Sequence, residues 1–206
     1  MPSTIVHLFI AKEIANHLKI KSLSQFYLGA IAPDAVNPDD NAPAEVRFPA
    51  HVRQVNIDNW KNSILNYYLT NKNKYANDLD LFKGYTVHII SDIMWDELVE
   101  WKMFDEFKRL GIKDKDLKIE KYKELFKLNS YLLKQKDWID IEYQLKKSHS
   151  IDINTVPKEL IDEYLSPVIS ENYPKTINKS CQFLTTEHID ITTKAVLKFW
   201  RQMVAK

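Results

Sequence analysis

Glycine, cysteine, long apolar runs and an excess of charge of one sign are all scarce in this chain. Only three glycines occur among its 206 residues, and strand-like alternation is nearly as rare. Cys181 is the single cysteine, so no intrachain disulfide can form, which fits a reducing compartment. No segment approaches the ~18–20 uninterrupted apolar residues of a membrane span. The opening MPSTIVHLFIAKEIA lacks a basic start and is broken by His7, Lys12 and Glu13, so it does not read as a signal peptide. The expected location is the cytoplasm. Basic and acidic residues number 29 and 28, a net charge of +1, which leaves no electrostatic footprint for a nucleic-acid backbone.

Apolar residues make up 45% of the chain and aromatics 12%, enough for a sizeable core and too much for disorder. The length suits one domain over residues 1–206. Helical periodicity is widespread. It predicts an all-α protein with helices near 4–18, 22–32, 54–71, 78–99, 101–109, 116–135, 137–146, 157–171 and 175–203. Ser22 with Gln25 forms a candidate capping box, Asn77 or Asp78 can cap the central helix, Pro157 suits a first helical turn, and Gly111 marks a helix end. KDKDLKIEKYKE alternates charge as a solvated helix face does.

One long segment, 33–52, reads as irregular and carries Pro33, Pro38, Pro43 and Pro49. Long loops inside compact domains are often functional. This one begins at Asp34 and ends at His51. On the central helix, LFKGYTVHIISDIMWDELVE, His88 and Asp92 are four apart and share a face. Asp96 continues the stripe and Gly84 precedes it. The surrounding residues are apolar on most of the circumference, so the helix is expected to be buried. A buried His and Asp need partners, and a divalent cation suits both. His7 lies on the first helix among Ala11, Ile14 and Ala15.

Each of these has an ordinary structural reading too: a His–Asp hydrogen bond in a core, close helix packing at Gly84, a core histidine at His7, a turn residue at Asp34. His17, near a helix C-terminus, suits the helix dipole, and His149 and His188 sit in polar surroundings.

The order of the residues is more informative than any one of them. His7, then Pro33-Asp34, then His51, then G-x-x-x-H-x-x-x-D over 84–92 resembles the zinc-dependent phospholipase C and nuclease superfamily over roughly the first hundred residues. The resemblance implies an all-helical fold, a metal held by Asp34, His51, His88 and Asp92, and His7 and Asp96 beside a second ion. It implies hydrolysis of a phosphoric ester, such as a small phosphoester or lipid headgroup, with Asp34 as general base. In the secreted relatives the chain's own amine is a ligand ahead of the early histidine. Here Pro2 stands five residues before His7, and its amine, once Met1 is removed, would bind beside His7 and bridge to Asp92. Where the family has a further histidine after the central pair, this chain has Trp95, Asp96, Glu97 and Leu98. The family's later His-x-x-x-Asp/Glu pair is also missing, since His149 is followed at that spacing by Ile153 and His188 by Thr192.

Mixed nitrogen and oxygen ligands suit zinc, with manganese, iron or nickel as alternatives. A different class of function fits the same residues: a non-catalytic helical protein with one structural or vestigial metal.

Overall fold

Ser3 opens the first helix, its hydroxyl accepting from the Val6 amide at 3.4 Å. From there helix α1 (Thr4–Ala15) is apolar on almost every side and buried on almost every side, as a helix without a polar face must be. A computed structural model describes residues 1–38, 41–169 and 183–205. Among these the fold is all-α with no strand. The remaining helices are α2 (Leu23–Gly29), α3 (Ala44–Ala50), α4 (Ile57–Asn71), α5 (Leu79–Trp95), α6 (Trp101–Arg109), α7 (Leu117–Leu132), α8 (Lys136–Leu145), α9 (Lys158–Val168) and α10 (Thr186–Val204).

Helix α5 is the axis of the molecule. It packs against α1, α2, α4 and α10, and Tyr85, Ile89, Ile90, Ile93 and Trp95 on it are sealed from solvent. Its closest neighbour is α2, and glycine permits the approach. A methyl group added at Gly84 would overlap the Phe26 carbonyl, and one added at Gly29 would overlap the Leu81 carbonyl. The two backbones touch where neither residue has a side chain, which is the close packing that the central-helix glycine suggests.

Several local expectations are altered. The 33–52 segment is not wholly irregular. Pro33 and Asp34 lie on a 3-10 turn, Ala32–Val36, and α3 occupies Ala44–Ala50, with Pro43 as its N-cap and Pro49 inside its last turn. Only Ala50 of α3 is buried, so this helix carries no apolar stripe to betray it. Helix α5 does not break before α6. A π-helical turn, Asp96–Glu100, joins them. Asp78 precedes α5 without a side-chain cap. Asp80 instead accepts from the amides of Lys21 and Ser22, each at 2.8 Å. Ser22 does cap α2, at 3.4 Å from the Gln25 amide, but the Gln25 side chain pairs with both backbone groups of His149 at 3.0 Å and not with its own N-cap. Pro157 is the N-cap of α9 and stands one residue outside the first turn.

Gly111 does close α6. With φ at +83°, it lets Ile112 N–H reach the Phe107 carbonyl and its own N–H reach that of Lys108, a Schellman arrangement. Cys181, and the start of the helix expected from 175, lie outside the described residues.

Candidate metal centre

Five side chains from four segments meet on the buried face of α5. His7 comes from α1, Asp34 from the 3-10 turn after α2, His51 from the end of α3, and His88 and Asp92 from α5. His7, His51, His88 and Asp92 are buried, and Asp34 keeps 17% of its side chain exposed. Two overlapping groups, His7–His88–Asp92 and Asp34–His51–His88, each bring their donor atoms close enough to share an ion.

The backbone orients two of the imidazoles. His88 Nδ1 lies 2.8 Å from the Ala30 carbonyl, and His51 Nδ1 lies 3.0 Å from the Arg47 carbonyl. A carbonyl only accepts, so both Nδ1 atoms carry hydrogen. In the neutral rings each Nε2 then presents a lone pair to the centre. That arrangement holds a histidine ready for a metal. The sequence explains both anchors. Gly29 and Gly84 let α2 approach until the Ala30 carbonyl meets His88. Pro49 and the end of α3 leave the Arg47 carbonyl available to both the amide and the ring of His51.

The inward atoms are donors to a cation and poor partners for one another. Asp34 Oδ1 is 3.3 Å from His51 Nε2 and 3.6 Å from His88 Nε2. Asp92 Oδ2 is 3.5 Å from His88 Nε2 and 3.8 Å from His51 Nε2. Four donors at tetrahedral angles and bonds of about 2.1 Å would stand about 3.4 Å apart. Asp92 Oδ1 faces His7 Nε2 at 3.3 Å, and the His7 ring stacks on His88 with centroids 3.8 Å apart. Both nitrogens of His7, Nε2 of His88 and both oxygens of Asp92 are buried without a hydrogen-bond partner. Buried polar atoms left in that state are costly, and a cation among them removes the cost. The set fits a metal ion on the chemistry of its donors.

The protonation equilibria reflect the crowding. For Asp92 burial acts upward, but His88 and His7 hold the carboxyl well below its ordinary value. For Asp34 burial is again opposed by His88 and His51, and the net direction is downward. Burial pushes His88 down, yet Asp34 and Asp92 raise it above an ordinary imidazole. Burial and the neighbouring His88 together lower His7.

No protein-family model, curated protein or solved structure matches this chain.

The structure brings together His7, Asp34, His51, His88 and Asp92 of the residues singled out in the sequence. Asp96 belongs to neither group. Its Oδ1 takes the Met1 ammonium at 2.9 Å and its Oδ2 takes Arg53 at 3.4 Å, so its charge is already met. The Met1 amine reaches Asp96 and Glu100. Of the remaining histidines, His17 is exposed, His149 is clamped through its backbone by Gln25, and His188 accepts the Thr185 amide at 3.1 Å to complete the capping box of α10. The carbonyls of Ala30 and Arg47 leave no signal in a sequence, because every residue has one. Arg53 and Trp60 also went unmarked. Trp60 Nε1 donates to the His51 carbonyl at 3.0 Å, and the Arg53 guanidinium stacks over the Trp60 ring at 4.7 Å.

Proposed function

We propose that the protein is a metal-dependent hydrolase of a phosphoric ester, as its resemblance to the zinc-dependent phospholipases C implies, with zinc as the ion and manganese, iron or nickel as substitutes. The observation that carries this reading is an opening. A cavity of about 530 Å³ reaches Asp34 from the surface, so one carboxylate of the cluster faces a space large enough for a small ligand. A purely structural ion is normally closed off by its ligands.

His51, His88, Asp34 and Asp92 would hold the ion, with His7 against the second oxygen of Asp92. Two carboxylates and neutral imidazoles balance a divalent charge. When bound, the ion supplies the positive charge that polarises a phosphoryl oxygen and acidifies water. The Ala30 and Arg47 carbonyls keep Nε2 of both histidines directed inward. Asp34 is ionised at neutral pH, because its carboxyl titrates below the ordinary range. With Oδ1 turned to His51 and His88, its second oxygen would take the proton from attacking water as general base.

The test is hydrolysis of an aryl phosphodiester by protein carrying zinc or manganese, with a chelator control. Metal-dependent turnover abolished by Asp34→Asn supports the reading. Fully metallated protein inert toward monoesters, diesters and phospholipid headgroups would instead favour a non-catalytic metal protein.

A further inference from the structure

The segment that delivers His51 to the cluster continues into the cavity wall through a strained corner. Val52 has φ at +48°, the left-handed region that a β-branched residue rarely enters. Such strain persists where the surrounding structure imposes it, and it concentrates at functional sites. The corner turns His51 inward and sends Arg53 along the wall.

Arg53 is held there firmly. Its amide donates to the Phe48 carbonyl at 2.9 Å. Its guanidinium lies over Trp60 at 4.7 Å and over Phe48 at 5.6 Å, and it meets Asp96 at 3.4 Å. The same Trp60 donates to the His51 carbonyl, so one indole braces both the inward histidine and the outward arginine. Arg53 and Asp34 line the same cavity.

Among the described residues Arg47, Lys118 and Lys121 line the cavity with Arg53, and so do Asp34, Asp96 and Glu100; Lys121 meets Glu100 at 3.1 Å. Phe48, Tyr122 and Phe126 add ring surface, and Phe126 is half-exposed. The guanidinium lines the cavity, with one terminal nitrogen on Asp96 and the other on the Met1 sulfur at 3.0 Å; a planar fork stacked on aromatic rings suits phosphate, which would take the place of these two contacts.

We propose that Arg53 is the anchor of a phosphate-binding subsite beside the metal centre, and that the rings of Phe48, Tyr122 and Phe126 select esters whose substituent offers a flat or apolar face. This deepens the phosphoester reading above and rests on it for the identity of the anion. Arg53 is a specificity-determining residue that acts on the bound ester and not through the ion.

The experiment is calorimetric titration of the zinc-loaded full chain with inorganic phosphate, glycerol 3-phosphate and phenyl phosphate, alongside zinc content by elemental analysis. Phenyl phosphate is expected to bind most tightly, with glycerol 3-phosphate no better than phosphate itself. Arg53→Gln should weaken all three by about tenfold, as loss of a charge-assisted hydrogen bond does, with zinc content unchanged. Phe126→Ala should remove part of the phenyl advantage alone. Equal affinities in wild type and Arg53→Gln at equal zinc content would overturn the proposal, as would no binding of any probe to the zinc-loaded wild type. Should Arg53→Gln lose zinc, Arg53→Lys decides, since it keeps the charge and loses the fork: weaker binding at full zinc supports the subsite and unchanged binding removes it. Hydrolysis is scored separately. Arg53-dependent binding without turnover sinks the hydrolase and leaves the subsite. Turnover with KM unaltered in Arg53→Gln does the reverse.

Discussion

Asp92 and Asp96 stand one turn apart on the same side of one continuous helical rod and have opposite fates. Asp92 is sealed among imidazoles, and its carboxyl is held well below the ordinary value because His88 and His7 outweigh burial. Asp96 has an ammonium and a guanidinium within reach, yet burial, with Glu100 and Asp92 nearby, raises it. Among the described residues the first carboxylate is met only by imidazoles, and the second by an ammonium and a guanidinium. A stripe of acids at helical spacing therefore does not define a ligand set. Which positive groups the rest of the chain delivers to each turn defines it. The π-helical turn that starts at Asp96 reinforces the division, since Asp96 and Glu100 converge on the same amine.

The contrast can be broken most severely at Gly84. Alanine there would force α2 away from α5 and carry the Ala30 carbonyl off His88. Destabilisation by about 3 kcal/mol is expected in urea unfolding, together with loss of bound metal. Wild-type stability would mean that the backbone contact is slack and does not orient His88.

A direct comparison follows from Asp92→Asn and Asp96→Asn. The first should purify nearly free of metal. It should also lose the ligand-linked stabilisation, about 2.7 kcal/mol where free metal exceeds its dissociation constant a hundredfold. The second should keep wild-type metal and change stability by less than about 1 kcal/mol, since burial offsets its ion pairs. Equal metal content in the two variants would erase the distinction drawn here.

Acid titration of the chelated protein sharpens the same point. A carboxyl depressed on folding contributes stability that is present above its unfolded value, near 3.8 for Asp92, and is lost as pH falls through the folded value. Asp96 is raised on folding, so its protonation works the other way. Thermal unfolding of the metal-free protein should therefore weaken below about pH 4. Asp92→Asn should make that acid limb shallower, leaving the part Asp34 contributes, and Asp96→Asn should not. Superimposable limbs would show that Asp92 carries no such linkage.

The smallest effect is expected at His188→Ala, which removes half of the α10 capping box. A loss of about 0.5 kcal/mol in thermal stability with metal content intact would separate a histidine that caps a helix from those that face the cluster.

Much of this was legible in the sequence. Apolar spacing located the long helices. His88 and Asp92 share a face because four residues make about one turn, and the Gly84 gap announced a close neighbour. Helix α3 was not legible, because a short helix with one buried residue and a proline inside it carries no periodic signal. Asp96 was indistinguishable from Asp92 by spacing alone, since both continue one stripe.

By itself the sequence determined that the protein is helical, that α5 is buried, and that histidine and aspartate must lie together on that buried helix. Those are consequences of local periodicity and of the cost of leaving polar groups without partners. Only the tertiary structure decided that carbonyls of Ala30 and Arg47 turn two imidazoles toward Asp34 and Asp92, that Asp96 is neutralised from residues far along the chain, and that Arg53 stands beside the opening. These depend on which distant segments meet; for the Ala30 carbonyl and His88 the meeting follows from backbone contact at Gly29 and Gly84, where no side chain keeps the helices apart.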